Sequence, residues 1–296
     1  MSAEAGRLLE ELRAAVDSTL DALLPPADAY PPPIHEALRY AVFAGGKRVR
    51  PALTLLAAEI VGGNRANLLE SAAGFELVHT ASLILDDLPS QDNAPVRRGR
   101  AATHVRFDEA TAVLASTALL TLGFQSVAEN ARRIGAPAET VARALRSMAE
   151  AIGTRGMIGG QVVDLSVGGE RDTMETLEYI HSRKTGALFI ACAEVGALLP
   201  GGREDEIAAL GAFAKNLGLA YQITDDILDV EGREEAMGKP AGQDRGKATF
   251  ATLFGLEVSR RVARELYEAA DAALAPFGAR AKNLRAMAAW LRARAS

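Results

Sequence analysis

The sequence predicts an all-α fold, and three observations carry that prediction. Apolar residues recur at three- and four-residue spacing along most of the chain. No run of four to eight residues shows β-branched alternation, while alanine and leucine dominate throughout. Connections are short, and no proline-, glycine- or serine-rich linker divides the chain, so residues 1–296 read as one helical domain. The 296 residues, 49% hydrophobic and 24% charged, are enough to bury a large core. A net charge of −5 leaves no basic footprint for nucleic acid. The lone Cys192 cannot form an intrachain disulfide, which fits a reducing cytoplasm, and its expected role is packing. Glu4, Glu10 and Glu11 interrupt the first leucines, so no secretory signal is expected. The most apolar stretches, 111–128 and 187–199, contain Gln125 and Glu194 and are expected to be buried helices rather than membrane spans.

Taken in order, Leu8, Leu9, Leu12, Val16, Leu20 and Leu23 form one face of a first helix that Pro25 and Pro26 stop. A second helix is expected over 34–44, ending at Gly45 and Gly46. The basic stretch Lys47-Arg48-Val49-Arg50 follows, with Pro51 placed at the first position of the next helix, 51–61. Alone, such a stretch is a solvated loop; with glycines and a helix start beside it, it can form an anion site. Further helices are expected over 65–88, 108–130 and 139–167. Gly153, Gly156, Gly159 and Gly160 crowd the last of these and imply a kink or a close approach. Gln161 and Asp164 in the same stretch read as a structural hydrogen-bonding pair. Helices over 173–182, 184–199 and 204–230 come next, then a loop at 231–248 with Lys239 and Lys247, and two or three helices over 249–294.

Two acidic clusters end apolar helical runs: Asp86-Asp87-Leu88-Pro89-Ser90-Gln91-Asp92, and Asp225-Asp226-Ile227-Leu228-Asp229. Carboxylates are rarely buried without a partner, so a cationic group should meet each cluster. Asp225 and Asp229 lie four apart on one helix face. Pro89 breaks the earlier helix and lets Asp92 turn back toward Asp86. Sparse, hard oxygen ligands of this kind suit Mg²⁺, which binds through a few carboxylates together with substrate phosphates. A phosphorylated ligand is therefore implied.

These blocks together resemble the trans-polyprenyl diphosphate synthases, and among them the bacterial geranylgeranyl diphosphate synthases of carotenoid pathways. The resemblance spans nearly the whole chain through GGKRVRP at 45–51, His79, DDLPSQD at 86–92, RRG at 97–99, GMIGGQVVDL at 156–165, Lys184-Thr185, YQITDDILD at 221–229, Lys239 and Lys247. Asn93, Ala94 and Gln243 depart from the commoner pattern. The resemblance implies an all-α homodimer with a deep cavity in which Asp86, Asp87, Asp92, Asp225, Asp226 and Asp229 hold Mg²⁺ against an allylic diphosphate. Arg97, Lys184, Thr185, Gln222, Lys239 and Lys247 match positions around that diphosphate. Gly46, Lys47, Arg50, His79 and Arg98 match positions for isopentenyl diphosphate. Asp86, Asp87, Asp92, Arg97, Lys184, Asp225, Asp226 and Lys239 are expected to carry the chemistry.

In this family an aromatic residue five positions before the first aspartate accompanies farnesyl products. Here Ala81 and Ser82 stand in that region, and the expected main product is geranylgeranyl diphosphate, with farnesyl diphosphate as the alternative. A terpene cyclase and a non-catalytic subunit are competing readings. The basic block at 45–51 and the second acidic cluster argue against the first, and the retained charged residues against the second.

Overall fold

The computed structural model describes residues 2–166, 173–232 and 249–293, and in these the fold is all-α. Helices α1 (Ser2–Leu23), α2 (Pro32–Val42) and α3 (Val49–Ile60) lead, by way of a 3₁₀ turn at Arg65–Leu68, into α4 (Leu69–Asp86). A short hairpin, β1 (Val96–Arg97) and β2 (Arg100–Ala101), precedes α5 (Thr103–Arg106), α6 (Glu109–Arg133), α7 (Ala138–Ile152) and α8 (Met157–Asp164). After α9 (Met174–Ile180), a π-helical turn (His181–Gly186) runs straight into α10 (Ala187–Leu198). The chain closes with α11 (Glu204–Glu231), α12 (Phe250–Ala273, interrupted at Gly255), a 3₁₀ turn at Ala275–Ala281 and α13 (Lys282–Arg292).

The centre is built from helices that are apolar nearly all round, as buried helices must be. Along α3, Leu53, Leu55, Leu56 and Ile60 are fully or almost fully buried, and in α10 so are Leu188, Phe189, Cys192 and Val195. Helix α4 packs against α6, α3 and α1, and α11 packs against α10 and α12. One contiguous buried cluster runs from Leu9 in α1 to Leu291 in α13, and a smaller one joins α9, α11 and α12. Cys192 sits within the larger cluster, and burial pushes its thiol up to about 12, in keeping with a packing role. The segments Arg65–Asp86 and Glu109–Arg133 are long and apolar enough to cross a membrane by length and composition alone, a property not expected from the sequence. In the fold they lie against each other as α4 and α6.

Several expected boundaries move. The 139–167 stretch is two helices, because Gly153 caps α7 in an extended conformation and the chain turns before α8, so the glycine-rich break is realised as a full interruption. The break expected between 182 and 184 is absent, since the π turn carries the helix through it. Helix α3 starts at Val49, which places Pro51 inside its first turn, where a missing N–H costs nothing. The hairpin was not foreseen: each strand is two residues long, too short for any alternation, and its turn is set by the left-handed conformations of Arg98 (φ 53°) and Gly99 (φ 74°).

A buried ion pair fixes α4 to the loop before α3. Arg48 Nη1 donates to Glu76 at 2.7 Å, its Nε to Asp17 at 2.7 Å and its Nη2 to the Val42 carbonyl at 2.7 Å. Both Arg48 and Glu76 side chains are 2% exposed. Removing one partner from such a pair strands a buried charge, whereas replacing both by apolar groups is close to neutral. Glu76→Ala is therefore expected to lower stability by about 3–5 kcal/mol in urea unfolding. The double variant Arg48→Met/Glu76→Leu should recover most of that loss. A double variant as unstable as Glu76→Ala would contradict this account of the pair.

Candidate active site

A cavity of about 510 Å³ opens between the C-terminal parts of α4 and α11. From the first acidic loop Asp92 lines it, from α11 Tyr221, Gln222, Asp225 and Asp226, and from the π turn His181, Lys184 and Thr185. Arg50, His79, Ser82, Asn93, Arg97, Arg98, Asp164 and Thr249 also belong to the polar wall, and Leu83, Met157, Leu177 and Ile180 supply apolar surface.

The first acidic motif folds back on itself as its proline predicts. Asp92 N donates to the Asp86 carbonyl at 2.9 Å, and Ala94 N to that of Asp87 at 3.1 Å. Asp86 faces Lys184 Nζ at 3.9 Å, and burial holds its carboxyl above the usual carboxylate range in spite of that lysine. Asp87 takes a different place. It is 3% exposed, turned toward the hairpin, and bound by Arg97 through both Nε (2.9 Å) and Nη2. Burial raises the Asp87 carboxyl as well, with Arg97 opposing the shift. Asp87 thus lies outside the main cavity wall, and Arg97, assigned from sequence to the substrate, is engaged by this aspartate while also reaching the cavity.

Lys184 is placed by the π turn and by a close backbone approach. A Cβ on Gly160 of α8 would stand 2.3 Å from Lys184 N, so only glycine lets α8 come this near. Lys184 Nζ donates to Asp164 Oδ2 at 2.7 Å. Next along the turn, Thr185 Oγ1 donates to Gln222 Oε1 at 3.1 Å, and Gln222 Nε2 donates to Asp226 Oδ1 at 3.1 Å. Asp226 Oδ2 accepts from Phe250 N at 3.2 Å, which ties α11 to the first turn of α12. Asp225 stands on the cavity wall; Asp229, on the next turn, is buried and does not reach it.

A second recess, of about 300 Å³, is lined by Gly46, Lys47, Arg48, Arg50, Glu76, His79, Arg98 and Tyr221. Gly46 (φ +139°) leaves room for the Arg98 guanidinium, which a Cβ would meet at 2.8 Å. Arg98 Nη1 donates to the Gly45 carbonyl. The Arg50 guanidinium lies 5.0 Å over the Phe189 ring, and its buried Nε has no hydrogen-bond partner among the described residues. Burial first, and then Arg50, Arg98, Arg97 and Arg48, hold the His79 imidazole well below its ordinary range, so it is neutral at physiological pH.

The structure thus brings Asp92, Arg97, Lys184, Thr185, Gln222, Asp225 and Asp226 to one cavity, and Gly46, Lys47, Arg50, His79 and Arg98 to the other. Arg50, His79 and Arg98 line both. Ser82 lines the main cavity, but Ala81 does not: it is 3% exposed in the core, and its carbonyl accepts the Ser116 hydroxyl of α6 at 2.8 Å. Lys239 and Lys247 lie outside the described residues. Sequence reasoning gave no role to Tyr221, the first residue of the 221–229 block, which borders both recesses and stands one helical turn before Asp225, and it read Asp164 as structural although it lines the cavity.

A family model for polyprenyl synthetase matches residues 31–276. The chain belongs to the polyprenyl synthetase family. It is 42% identical to geranylgeranyl pyrophosphate synthase 9, chloroplastic, of Arabidopsis thaliana, over 97% of this chain and 80% of that one. It is 43% identical to a geranylfarnesyl diphosphate synthase, chloroplastic, of Leucosceptrum canum, over 91% of this chain and 74% of that one. The crystal structure of an FPP/GFPP synthase from Zymomonas mobilis superimposes with a TM-score of 0.87 at 34% identity, covering 98% of this chain and all of that one. This polyprenyl synthetase therefore shares the helical architecture of that structure along nearly its whole length.

His181 gives the site a pH signature. It is buried in the π turn with Nε2 3.5 Å from Asp226, and burial lowers its pKa to about 4. An unfolded histidine titrates near 6.5. Between these values the unfolded chain binds a proton that the folded chain excludes, so this contribution is present above 6.5 and is lost as pH falls toward 4. Thermal midpoints are expected to drop across that window, and His181→Asn should flatten the drop. An equal slope in the variant would remove His181 as its source.

Proposed function

We propose that this polyprenyl synthetase condenses isopentenyl diphosphate with an allylic diphosphate and releases geranylgeranyl diphosphate as its main product. The observation that carries the reading is the pairing of an acid-walled cavity with a basic recess that shares Arg50, His79 and Arg98 with it. The allylic diphosphate belongs in the cavity, and isopentenyl diphosphate in the recess. There the buried Arg50 Nε, which has no hydrogen-bond partner among the described residues, is a donor suited to a diphosphate oxygen.

The donor set fits Mg²⁺ shared with a diphosphate. Among the described residues no three acidic or imidazole groups converge tightly enough to hold a metal by themselves. Asp92 and Asp225 nonetheless line the same cavity, and Asp86, which is not part of its wall, stands 3.9 Å from the Lys184 ammonium that is. That arrangement suits a cation which takes one or two carboxylates and completes its shell with phosphate oxygens and water. When bound there, Mg²⁺ supplies positive charge that stabilises the departing diphosphate.

The chain's own residues do the rest. Lys184 and Arg97 place cationic donors where negative charge grows as the allylic C–O bond breaks, which lowers the barrier more than it tightens ground-state binding. The Thr185, Gln222 and Asp226 relay holds that wall in place. Leu83, Met157, Leu177 and Ile180 surround the path of the hydrocarbon and keep water from the allylic cation. The double bond of isopentenyl diphosphate attacks this cation, and the released diphosphate accepts the proton lost afterwards, so no side chain is needed as nucleophile or base. Neutral His79 can donate a hydrogen bond to a phosphate oxygen without adding charge.

A homodimer is proposed through α6, where Val113 and Leu114 are 43% and 62% exposed on a helix of apolar character. Light scattering that returned the mass of a single chain would remove that proposal.

Turnover of the purified chain with labelled isopentenyl diphosphate and each allylic primer, followed by chromatography of the dephosphorylated products, tests the reaction. A twenty-carbon alcohol is expected; primer hydrolysis or cyclisation without isopentenyl diphosphate would overturn the assignment. Chain length gives a sharper check. Ser82 is four residues, about 6 Å, below Asp86 on α4 and lies on the cavity wall. Ser82→Tyr is expected to shift most product to fifteen carbons. Unchanged twenty-carbon product in that variant would show that this wall does not limit growth.

A further inference from the structure

Helix α8 carries two polar side chains that the proposed reaction leaves without a task, and each reaches a different part of the site. Asp164 Oδ2 lies 2.7 Å from Lys184 Nζ, while Asp86 Oδ2 lies 3.9 Å from the same ammonium. Three residues earlier, Gln161 Nε2 donates to Gln91 Oε1 at 2.7 Å. Gln91 is the neighbour of Asp92 in the first acidic loop. Positions three apart on a helix share a face, so α8 holds Lys184 and the acidic loop from one side.

The geometry has a direct electrostatic meaning. A lysine ammonium is a compact charge on a flexible four-carbon stem, and the fixed backbone of the π turn does not by itself decide where that charge rests. With Asp164 removed, the carboxylate of Asp86 would be the anion nearest Lys184 among its described ion-pair partners. The ammonium would then close onto Asp86 and neutralise it in a contact pair, with both groups drawn away from an incoming diphosphate. Gln161 bears on the same question. Its Oε1 is buried with no hydrogen-bond partner among the described residues, an arrangement that costs stability and that an apolar residue would avoid.

We infer that Asp164 and Gln161 are positioning residues: Asp164 holds Lys184 off Asp86 and over the cavity, and Gln161 holds the loop that carries Asp92. The inference rests on the proposed prenyl transfer for its purpose, and its central test reads binding rather than turnover. The affinity of the full chain for inorganic diphosphate with Mg²⁺ is measured by calorimetry in wild type, Asp164→Asn, Asp164→Glu, Lys184→Ala and the Asp164→Asn/Lys184→Ala double variant. Asp164→Asn is isosteric and should weaken binding about tenfold, within the range typical of residues that orient a liganding group. Asp164→Glu should restore most of the loss. In the Lys184→Ala background, Asp164→Asn should change affinity by less than a factor of about two, because its effect acts through Lys184. A parallel cycle of Gln161→Ala with Gln91→Ala should show the same non-additivity.

Turnover adds a second readout. Asp164→Asn should lower kcat and raise KM for the allylic primer, with KM for isopentenyl diphosphate unchanged. The inference is overturned by wild-type affinity in Asp164→Asn, by an equal loss with and without Lys184, by losses in Asp164→Asn and Gln161→Ala that only follow a fall in thermal midpoint, or by a wild-type chain that does not bind diphosphate. A wild-type chain that binds diphosphate and shows the expected cycles, yet forms no product from any primer, would instead overturn the proposed function and leave the positioning intact.

Discussion

Charge buried inside a helical bundle has to be matched at close range, and that requirement organises this molecule. Four charged groups brought to the interior are each held by a partner from a different element. Arg48 before α3 meets Glu76 of α4, Arg97 of the hairpin meets Asp87, Lys184 of the π turn meets Asp164 of α8, and Asp226 of α11 accepts from the backbone at the start of α12. The apolar cluster supplies the non-directional drive to collapse. The charged pairs set which helix ends face one another, because an unmatched partner would cost several kcal/mol. Arg97, Asp164, Lys184 and Asp226 line the cavity, and Arg48 and Glu76 line the basic recess beside it.

The same requirement divides residues that look alike in sequence. In the run Lys47-Arg48-Val49-Arg50, the middle arginine is consumed by Glu76, Asp17 and a carbonyl, while Lys47 and Arg50 line the recess and the buried Nε of Arg50 has no described partner. In the first acidic motif Asp87 is matched by Arg97 on the hairpin side, whereas Asp92 faces the cavity. A motif marks the neighbourhood of the chemistry; the assignment of each member depends on what the opposing element brings.

This is why the fold was more legible than the site. Apolar spacing located the helices, and Pro89 announced the return of Asp92 toward Asp86, because both signals are local. The glycines at 153–160 announced a kink or a close approach, and the structure has the close approach at Gly160, but they did not tell that one helix would become two or that Lys184 would be the neighbour. The hairpin escaped because two-residue strands carry no periodicity, and at His181–Gly186 the sequence suggested a break between two helices where the structure has a continuous π turn. The partners of Arg48 and Asp164 are distant in sequence, at Glu76 and Lys184, and no local pattern encodes them. Ala81 and Ser82 are adjacent, yet on a helix adjacent residues point about 100° apart, and only one of them reaches the cavity.

The π turn at His181–Gly186 has a consequence for how this chain can change over evolutionary time. A π turn amounts to one surplus residue in an otherwise α-helical run. Each residue rotates a helix by about 100°, so the surplus offsets α10 from α9 by that angle. Deleting it would tidy the backbone and improve its hydrogen bonding, yet either Lys184 would swing off the cavity or the buried side chains of α10 would lose their packing register against α3, α7 and α11. The irregular segment is thus a register shift that two otherwise incompatible demands hold in common, and a lineage can lose it only by abandoning one of them.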